Sequence, residues 1–502
     1  MFVGLDNRIL RGTPIESEPG IFMGPALPLT INVPEHGSRR LVKELHAQLR
    51  SAIIDGRLKP GLKLPSSRSL AQEWRVSRNC VVAVYDLLLS EGYIRALPRG
   101  GTYVADTALR PTERGKALPL DNLQSPLARH WRSKPRIFRF EPSSGFEFDF
   151  GVGVPDTSVF PFDWWRRLSA RALRAFSRAP GGYAEPEGRK SLREAIGRHV
   201  SLTRAVACNA DDVVVTSGAQ QAFDLLARVL VTPGKTVVAL EDPGYPPMRE
   251  AFMSCGAKLV PVPVDSEGIV VERLPHDARI VCVTPSHQFP MGCVMSARRR
   301  AALLDFARRR RAVVIEDDYD GEFSHTGRPL DALKTLDTAH CVFYVGTFSK
   351  CLFPALRLGF VVVPAWAREA VVAAKQRSDW HGALLSQDTL AAFMAEGHLA
   401  RYVRKMRSVY RERRDMLLDA LRQLPGVDVL PAEAGLHVTT LLPRRLNAAR
   451  IAAAAASDGI RIYSLEGYSI SKKRPNGLIW GLGQIATPRV EAGVQRLSRL
   501  LR

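Results

Sequence analysis

Five short runs of β-branched and apolar residues, spaced by helical patterns, constrain this chain more than any other feature. They are Asp212-Val213-Val214-Val215-Thr216, Thr236-Val237-Val238-Ala239-Leu240, Ile280-Val281-Cys282-Val283, Ala312-Val313-Val314-Ile315 and Cys341-Val342-Phe343-Tyr344. Helical stretches are expected between them at Gln220–Leu230, Pro247–Phe252 and Ala297–Arg310. Such alternation predicts an α/β domain with a largely parallel sheet covered by helices. The domain is expected to run from about Phe148 to Arg502. After about Ser386 the balance changes: a long charged helix over Leu399–Leu424 precedes a smaller α+β segment, closed by a helix near Pro488–Leu501.

Ligands in such sheets gather at the carboxyl ends of the strands, and the chemically informative residues fall there. Ser217-Gly218-Ala219 opens a helix after the first run, where free backbone N–H groups and the positive dipole end suit a phosphate. Tyr245 follows the second run and offers a flat aromatic face, while His287 and Gln288 follow the third. Asp317 and Tyr319 bring a carboxylate and a phenol after the fourth. The fifth leads into Val345-Gly346-Thr347-Phe348-Ser349-Lys350, with Arg357 and Gly359 shortly beyond. A lysine held out of water can shed its proton and form a Schiff base with a carbonyl, and a nearby arginine suits an anionic group. Each residue alone has an ordinary structural use as cap, turn or packing. Together they supply an amine, an anion, a phenol, an aromatic face and a phosphate seat, the set that pyridoxal 5'-phosphate requires.

This half of the chain resembles the fold-type I aminotransferases. The resemblance implies that Lys350 carries the cofactor, that Asp317 pairs with its protonated ring nitrogen, and that Tyr319 hydrogen-bonds its ring oxygen. It implies further that Tyr245 stacks on the ring and that Gly218, Ala219, Thr347 and Arg357 hold the phosphate. Two departures stand out. Where many aminotransferases carry an asparagine before the proline of the third turn, this chain has Phe289, so the amide is lost or comes from Gln288. The arginine that fixes a substrate α-carboxylate has no clear counterpart beside Leu478-Ile479-Trp480-Gly481; Arg474 and Arg461 are the candidates, and His437 is a further residue that could face a ligand.

The N-terminal part reads differently. Leu41, Leu45, Leu49 and Ile53 recur every four residues, a helical stripe that ends at Asp55-Gly56. Ser66 or Ser67 can cap a short helix carrying Arg68, Leu70 and Trp74; a turn at Val76 then leads to Ser77, a second cap, and a helix opening with Arg78 and Asn79. Gly92-Tyr93-Ile94 and Gly100–Val104 read as two short strands with a tip at Leu97-Pro98-Arg99. Helix, turn, helix and wing place Ser66, Ser67, Arg68, Ser77, Arg78 and Asn79 where phosphates and base edges can be met. Residues 38–104 hold twelve Lys/Arg against five Asp/Glu, a net charge of +7 that suits counterion release from DNA.

This stretch resembles the winged helix-turn-helix of GntR-type bacterial regulators, through "GRLKPGLKLPSSRSLA", "VSRN" and "EGYI…GGTYV". With the second half it is similar to the MocR-type transcriptional regulators, to which "EDDYDGEF" and "TPSHQFPMG" are also suited. Four segments are expected: an N-terminal arm at 1–37, the winged helix-turn-helix at 38–104, a proline-rich linker at 105–147 and the aminotransferase-like effector domain at 148–502.

The remaining expectations follow from composition and from the resemblance. Over 502 residues the net charge of +21 points to a polyanionic partner, here operator DNA. Seven cysteines without a C-x-x-C pair speak against a disulfide framework or zinc ribbon and fit a reducing cytoplasm; no metal site is expected. No apolar run reaches the roughly 18 residues of a membrane span. The expected protein is a cytoplasmic homodimer that senses a small amine, an amino acid or vitamin B6. The contrasting possibility is a working aminotransferase that carries a DNA-binding domain, and a residual half-reaction is compatible with sensing.

Overall fold

The computed structural model describes residues 27, 29, 31–33, 41–98, 100–106, 131–132, 145–178, 181–325, 331–471 and 474–501. Most of the expected arm and most of the expected linker lie outside the described residues, as does Arg99 at the wing tip. The chain divides into two compact units, Met1–His130 and Trp131–Arg502.

In the first unit α1 (Leu41–Ile54), α2 (Ser67–Glu73) and α3 (Arg78–Ser90) are followed by β1 (Ile94–Leu97) and β2 (Gly101–Val104). Leu45, Leu49 and Ile53 of α1 pack on Leu70 and Trp74 and on Val81, Val84 and Leu88 of α3. The first cap is Ser66, whose hydroxyl accepts from the Ser69 N–H at 3.1 Å. The second is Ser77, accepting from the Cys80 N–H at 3.2 Å. The first wing strand begins two residues later than the sequence reading places it. Gly92 (φ +77°) and Tyr93 are occupied in ending α3, where the Gly92 N–H reaches the Leu89 carbonyl and the Tyr93 N–H that of Leu88. A glycine in the left-handed region closes a helix in this way, so strand pairing starts at Ile94 opposite Val104.

In the second unit a two-residue strand β3 (Phe148–Asp149) precedes β4 (Val213–Thr216), β5 (Val237–Asp242), β6 (Lys258–Asp265), β7 (Gly268–Ile269), β8 (Ala278–Val283), β9 (Val313–Asp318), β10 (Val342–Thr347) and β11 (Gly359–Val362). The eight strands from β4 onward form one sheet in the order β4-β11-β10-β9-β8-β5-β6-β7. The run β10-β9-β8-β5-β6 is parallel, as expected. The sheet is nevertheless mixed, because β11 runs antiparallel to both β4 and β10 and β7 runs antiparallel to β6. Alternate residues face opposite layers: Val238 and Leu240 pack with Phe223 and Leu226 of the helix Ala219–Leu230, whereas Val237 and Ala239 pack with Leu303 and Phe306 of the helix Ala297–Arg310.

The long helix spans His398–Arg422. Beyond it β12 (Asp428–Val429), β13 (His437–Leu441), β14 (Ile460–Arg461), β15 (Tyr463–Ser464) and β16 (Gly477–Gly481) build the smaller lobe. Its sheet has the order β12-β13-β16-β15, while β14 pairs with β3. The last helix is Val490–Ser498, shorter than expected because a 3₁₀ turn at Thr487–Arg489 precedes it. Trp480 of β16 meets Phe150 edge-on with ring centroids 5.2 Å apart, which seats the smaller lobe on the chain entering the large sheet.

Candidate functional site

The carboxyl ends of the parallel strands carry a polar mouth. After β4 the chain turns at Gly218 (φ +79°), the N-terminal cap of the helix Ala219–Leu230. Arg357, itself at φ +51°, donates from Nη2 to the Ser217 carbonyl at 2.7 Å. The φ at position 218 favours glycine, and a Cβ on Gly218 would lie 3.0 Å from that guanidinium, so a side chain there would be strained and would press on the cation. The Thr347 hydroxyl donates to Ser349 Oγ at 3.1 Å and accepts from the Ser349 N–H, which shapes the turn before Lys350. Free N–H groups, a hydroxyl and an arginine in this arrangement suit a phosphate.

Lys350 is partly buried, and its Nζ donates to the Gly153 carbonyl at 2.7 Å. Burial pulls its pKa below the ordinary lysine value against the raising influence of Asp320 and Asp317, which brings it nearer the neutral amine. Asp317, at the end of β9, is 3% exposed, and its Oδ1 has no hydrogen-bond partner. Burial, and then Asp318 and Asp320, hold its carboxyl well above the usual range. Such an oxygen calls for a cation or donor that the protein itself does not provide. Behind it, Arg204 pairs with Asp318 at 2.7 Å, Tyr344 donates to the same carboxylate at 2.6 Å, and Ser286 hydrogen-bonds Arg204. Glu316 accepts the N–H groups of Leu333 and Lys334. These buried bonds fix the end of β9.

Aromatic rings form the wall. Tyr245 meets Phe289 edge-on at 5.8 Å, and Phe289 in turn meets Tyr319, Tyr468 and His437 at 6.0, 5.2 and 5.3 Å. Ile479 of β16 and Met291 complete the apolar surface. The Tyr319 hydroxyl lies 2.9 Å from His287 Nδ1.

Gln288 does not present its amide to the mouth. Its Nε2 donates to Glu241 and to the Pro243 and Phe289 carbonyls, and its Oε1 accepts from the Met291 N–H. The candidate carboxylate arginines are also engaged: Arg461 pairs with Asp149 at 3.2 Å beneath the Phe146 ring, and exposed Arg474 pairs with Glu466 at 2.8 Å. His437 is buried, with Nε2 3.1 Å from the Pro290 carbonyl. Sequence reasoning missed Gly153, Asp320, Tyr468 and Ile479. Of these only Asp320 carried a signal, lying inside the acidic run after β9.

On the first unit Ser66, Arg68, Ser77, Arg78 and Asn79 are exposed and Ser67 is half-buried, all around the starts of α2 and α3. Tyr85 donates to the Pro65 carbonyl at 2.9 Å and so ties α3 to the segment that carries the first cap.

Two family models match. Bacterial regulatory proteins of the gntR family cover residues 41–104, and aminotransferases of class I and II cover residues 148–472. The chain is 34% identical over 466 residues to the probable rhizopine catabolism regulatory protein MocR of Rhizobium meliloti, covering 91% of this chain and 92% of the relative. It is 30% identical to the pyridoxine biosynthesis transcriptional regulator PdxR of Corynebacterium glutamicum, covering 91% and 94%. Among solved structures, the α-aminoadipate aminotransferase LysN of Thermus thermophilus, complexed with N-(5'-phosphopyridoxyl)-L-leucine, superposes with a TM-score of 0.69. It is 28% identical and covers 76% of this chain and 98% of that one. The fold is thus a GntR-type helix-turn-helix joined to a fold-type I aminotransferase-like domain. The chain belongs to the MocR group of helix-turn-helix transcriptional regulators.

Proposed function

We propose that this regulator binds pyridoxal phosphate at the Lys350 mouth and uses it to sense a small amine, an amino acid or a vitamin B6 compound. The observation that carries the reading is the buried, unpartnered Asp317 Oδ1 beside a lysine of lowered pKa and an arginine at a helix N-terminus. That donor set fits the cofactor: Lys350 for its aldehyde, Asp317 for the protonated ring nitrogen, Tyr319 for the ring oxygen and Tyr245 for the ring face. Gly218, Ala219, Thr347 and Arg357 suit its phosphate. When bound, the cofactor supplies an electrophilic carbon that captures primary amines. The protein's part is to lower the Lys350 pKa by burial, to offer Asp317 as a fixed counter-charge and to exclude water with the Phe289, Tyr468 and Ile479 wall.

The names of the relatives, rhizopine catabolism and pyridoxine biosynthesis, support a small amine or a vitamin B6 compound as effector. The apolar wall, with Arg461 and Arg474 already engaged, supports sensing over sustained transamination. The reader is residues 38–104 and the sensor residues 148–502, with 1–37 as an arm and 105–147 as a linker. Arg68, Ser77, Arg78 and Asn79, aided by Ser66 and Ser67, contact operator DNA. The protein acts in the cytoplasm as a homodimer; no helix among the described residues is long and apolar enough to cross a membrane. The test is spectroscopic. The purified protein should hold a visible absorption band that Lys350→Ala loses on dialysis. An unchanged band in that variant refutes the assignment.

A further inference from the structure

Beside the mouth lies a group of side chains that the reading above leaves without a role. His287 follows β8, Asp320 follows β9 and His437 sits on β13; they are 1%, 1% and 4% exposed. His287 Nδ1 lies 3.0 Å from Asp320 Oδ2 and 2.9 Å from the Tyr319 hydroxyl. Asp320 Oδ2 also accepts the Leu436 N–H at 3.2 Å. A Cβ on Gly435 would fall 2.0 Å from the His287 ring, so the backbone there passes close against the imidazole and only glycine leaves it room. The donor atoms of His287, Asp320 and His437 come within 4.8 Å of one another, a spacing a metal ion could use. Asp320 and His437, however, are each already engaged, by the Leu436 N–H and by the Pro290 carbonyl, while the buried His287 Nε2 has no hydrogen-bond partner among the described residues.

The direction of these bonds follows from the acceptors. An ionised carboxylate only accepts, so His287 Nδ1 must carry the proton that faces Asp320. The Tyr319 oxygen, 2.9 Å from the same nitrogen, then receives at most a share of that one proton in a three-centre bond; with no lone pair on Nδ1 to accept it, the single Tyr319 O–H is left to donate elsewhere. In the other tautomer two lone pairs would oppose each other at the 3.0 Å separation of Nδ1 and Oδ2. Tyr319 would then give its proton to His287 and have none for a ligand.

We propose that His287, locked in one tautomer by Asp320, is a positioning residue that turns the Tyr319 hydroxyl into a donor aimed at the cofactor's ring oxygen. This rests on the cofactor reading and deepens it. The imidazole makes good, one bond removed, the donor lost at Phe289, since the Gln288 amide is spent on Glu241 and on backbone. The ionisable groups facing His287 are Asp320 and Tyr319 from the β9 end, His437 from β13 and His325 from the loop beyond β9, and Asp320 in turn acts on Lys350 and Asp317. Leu436 and His437 belong to the smaller lobe, so the arrangement also ties the ring-oxygen tyrosine to that lobe.

A donor to the ring oxygen stabilises its deprotonated form. The pH midpoint of the bound chromophore therefore lies lower with the donor in place and rises when it is removed. The experiment is a spectrophotometric pH titration of the full-length protein loaded with pyridoxal phosphate. Tyr319→Phe should raise the midpoint by about one pH unit or more, and His287→Ala and Asp320→Asn should raise it in the same direction. The double variant His287→Ala/Tyr319→Phe should move no further than Tyr319→Phe alone, because both act through one hydroxyl. His287→Asn, whose amide can place an N–H where Nδ1 stands, should restore most of the shift. An unmoved midpoint in loaded His287→Ala, or shifts that add in the double variant, overturns the proposal. If wild-type protein takes up no chromophore, the cofactor reading fails instead.

Discussion

Replacing Asp317 with asparagine should have two effects of opposite sign. The side chain keeps its shape but can no longer ionise. With cofactor bound, a carboxylate buried to 3% exposure would face a ring cation, and removing one partner of a buried ion pair costs about 3–5 kcal/mol. At 1.4 kcal/mol per tenfold, pyridoxal phosphate should bind roughly 10²- to 4 × 10³-fold more weakly. Without cofactor the same carboxyl is a liability. Its pKa is raised well above the ordinary 3.8, by burial first and then by Asp318 and Asp320. A raised acid contributes stability below its unfolded pKa and loses it as pH rises through the folded value. An amide at this position does not titrate, so the cofactor-free variant should lose less of its melting temperature than the wild type as pH rises above about 4. Absorbance titration with pyridoxal phosphate measures the first effect, and thermal melts of cofactor-free protein across pH measure the second. Operator binding by the cofactor-free protein should be unchanged. Affinity within about threefold of wild type would refute the counter-ion assignment, and an unchanged pH slope of melting would refute the electrostatic account of the buried carboxyl.

Two further outcomes test other parts of the molecule. Arg78→Ala, at the exposed start of α3, should weaken operator binding by about 1–3 kcal/mol and relax sequence preference if the guanidinium reads a base; a loss equal on all DNA marks a phosphate contact. Glu241, raised by burial to about 7 although Thr284 and Gln288 hydrogen-bond it, should contribute stability below pH 4.5 that is lost as pH rises through 7. Glu241→Gln should flatten that fall of roughly 3 kcal/mol in chemical denaturation; an equal slope in both proteins refutes it.

The sequence exposed local rules well and long-range ones poorly. The helix Ala297–Arg310 matches its expected bounds because Ser296 caps it and its polar and apolar residues alternate at helical spacing. Strand β6 carries no clear signal because Pro261 and Pro263 interrupt a β-branched run. The structure pairs Lys258–Pro263 with β5, whereas β7 pairs only with Val264 and Asp265, so on that side neither proline faces a strand partner that needs its donor. The reversal of β11 has no local signature, since Gly359–Val362 would read the same in either direction. At the mouth, residues carried by strand ends were legible because each run advertises its own terminus. The acceptor of Lys350 was not, because Gly153 lies 197 residues away and contributes only a carbonyl. Likewise Arg461 reads as an available cation in the sequence, whereas the structure supplies Asp149, which faces it through the pairing of β14 with β3.

Regulation requires that occupancy of the Lys350 mouth be felt at the operator, and contacts at the rim suggest how the signal begins. Asp242, at the end of β5, accepts the N–H groups of Ile470 and Ser471, while the Pro290 carbonyl accepts from Thr439 and faces His437. The smaller lobe is thus tied to the large sheet through polar bonds at the rim of the mouth, and under the proposed reading an effector would act by displacing them. Linkage then fixes the sign and size of what must follow. An effector that alters operator affinity by some factor obliges the operator to alter effector affinity by the same factor. A coupling of about 1–3 kcal/mol corresponds to roughly 5- to 150-fold, well within reach of a spectroscopic titration run with and without operator DNA. Equal effector affinities in the two titrations, beside an effector-dependent gel shift, are thermodynamically incompatible with action at this mouth. The regulatory ligand would then have to bind elsewhere on the chain.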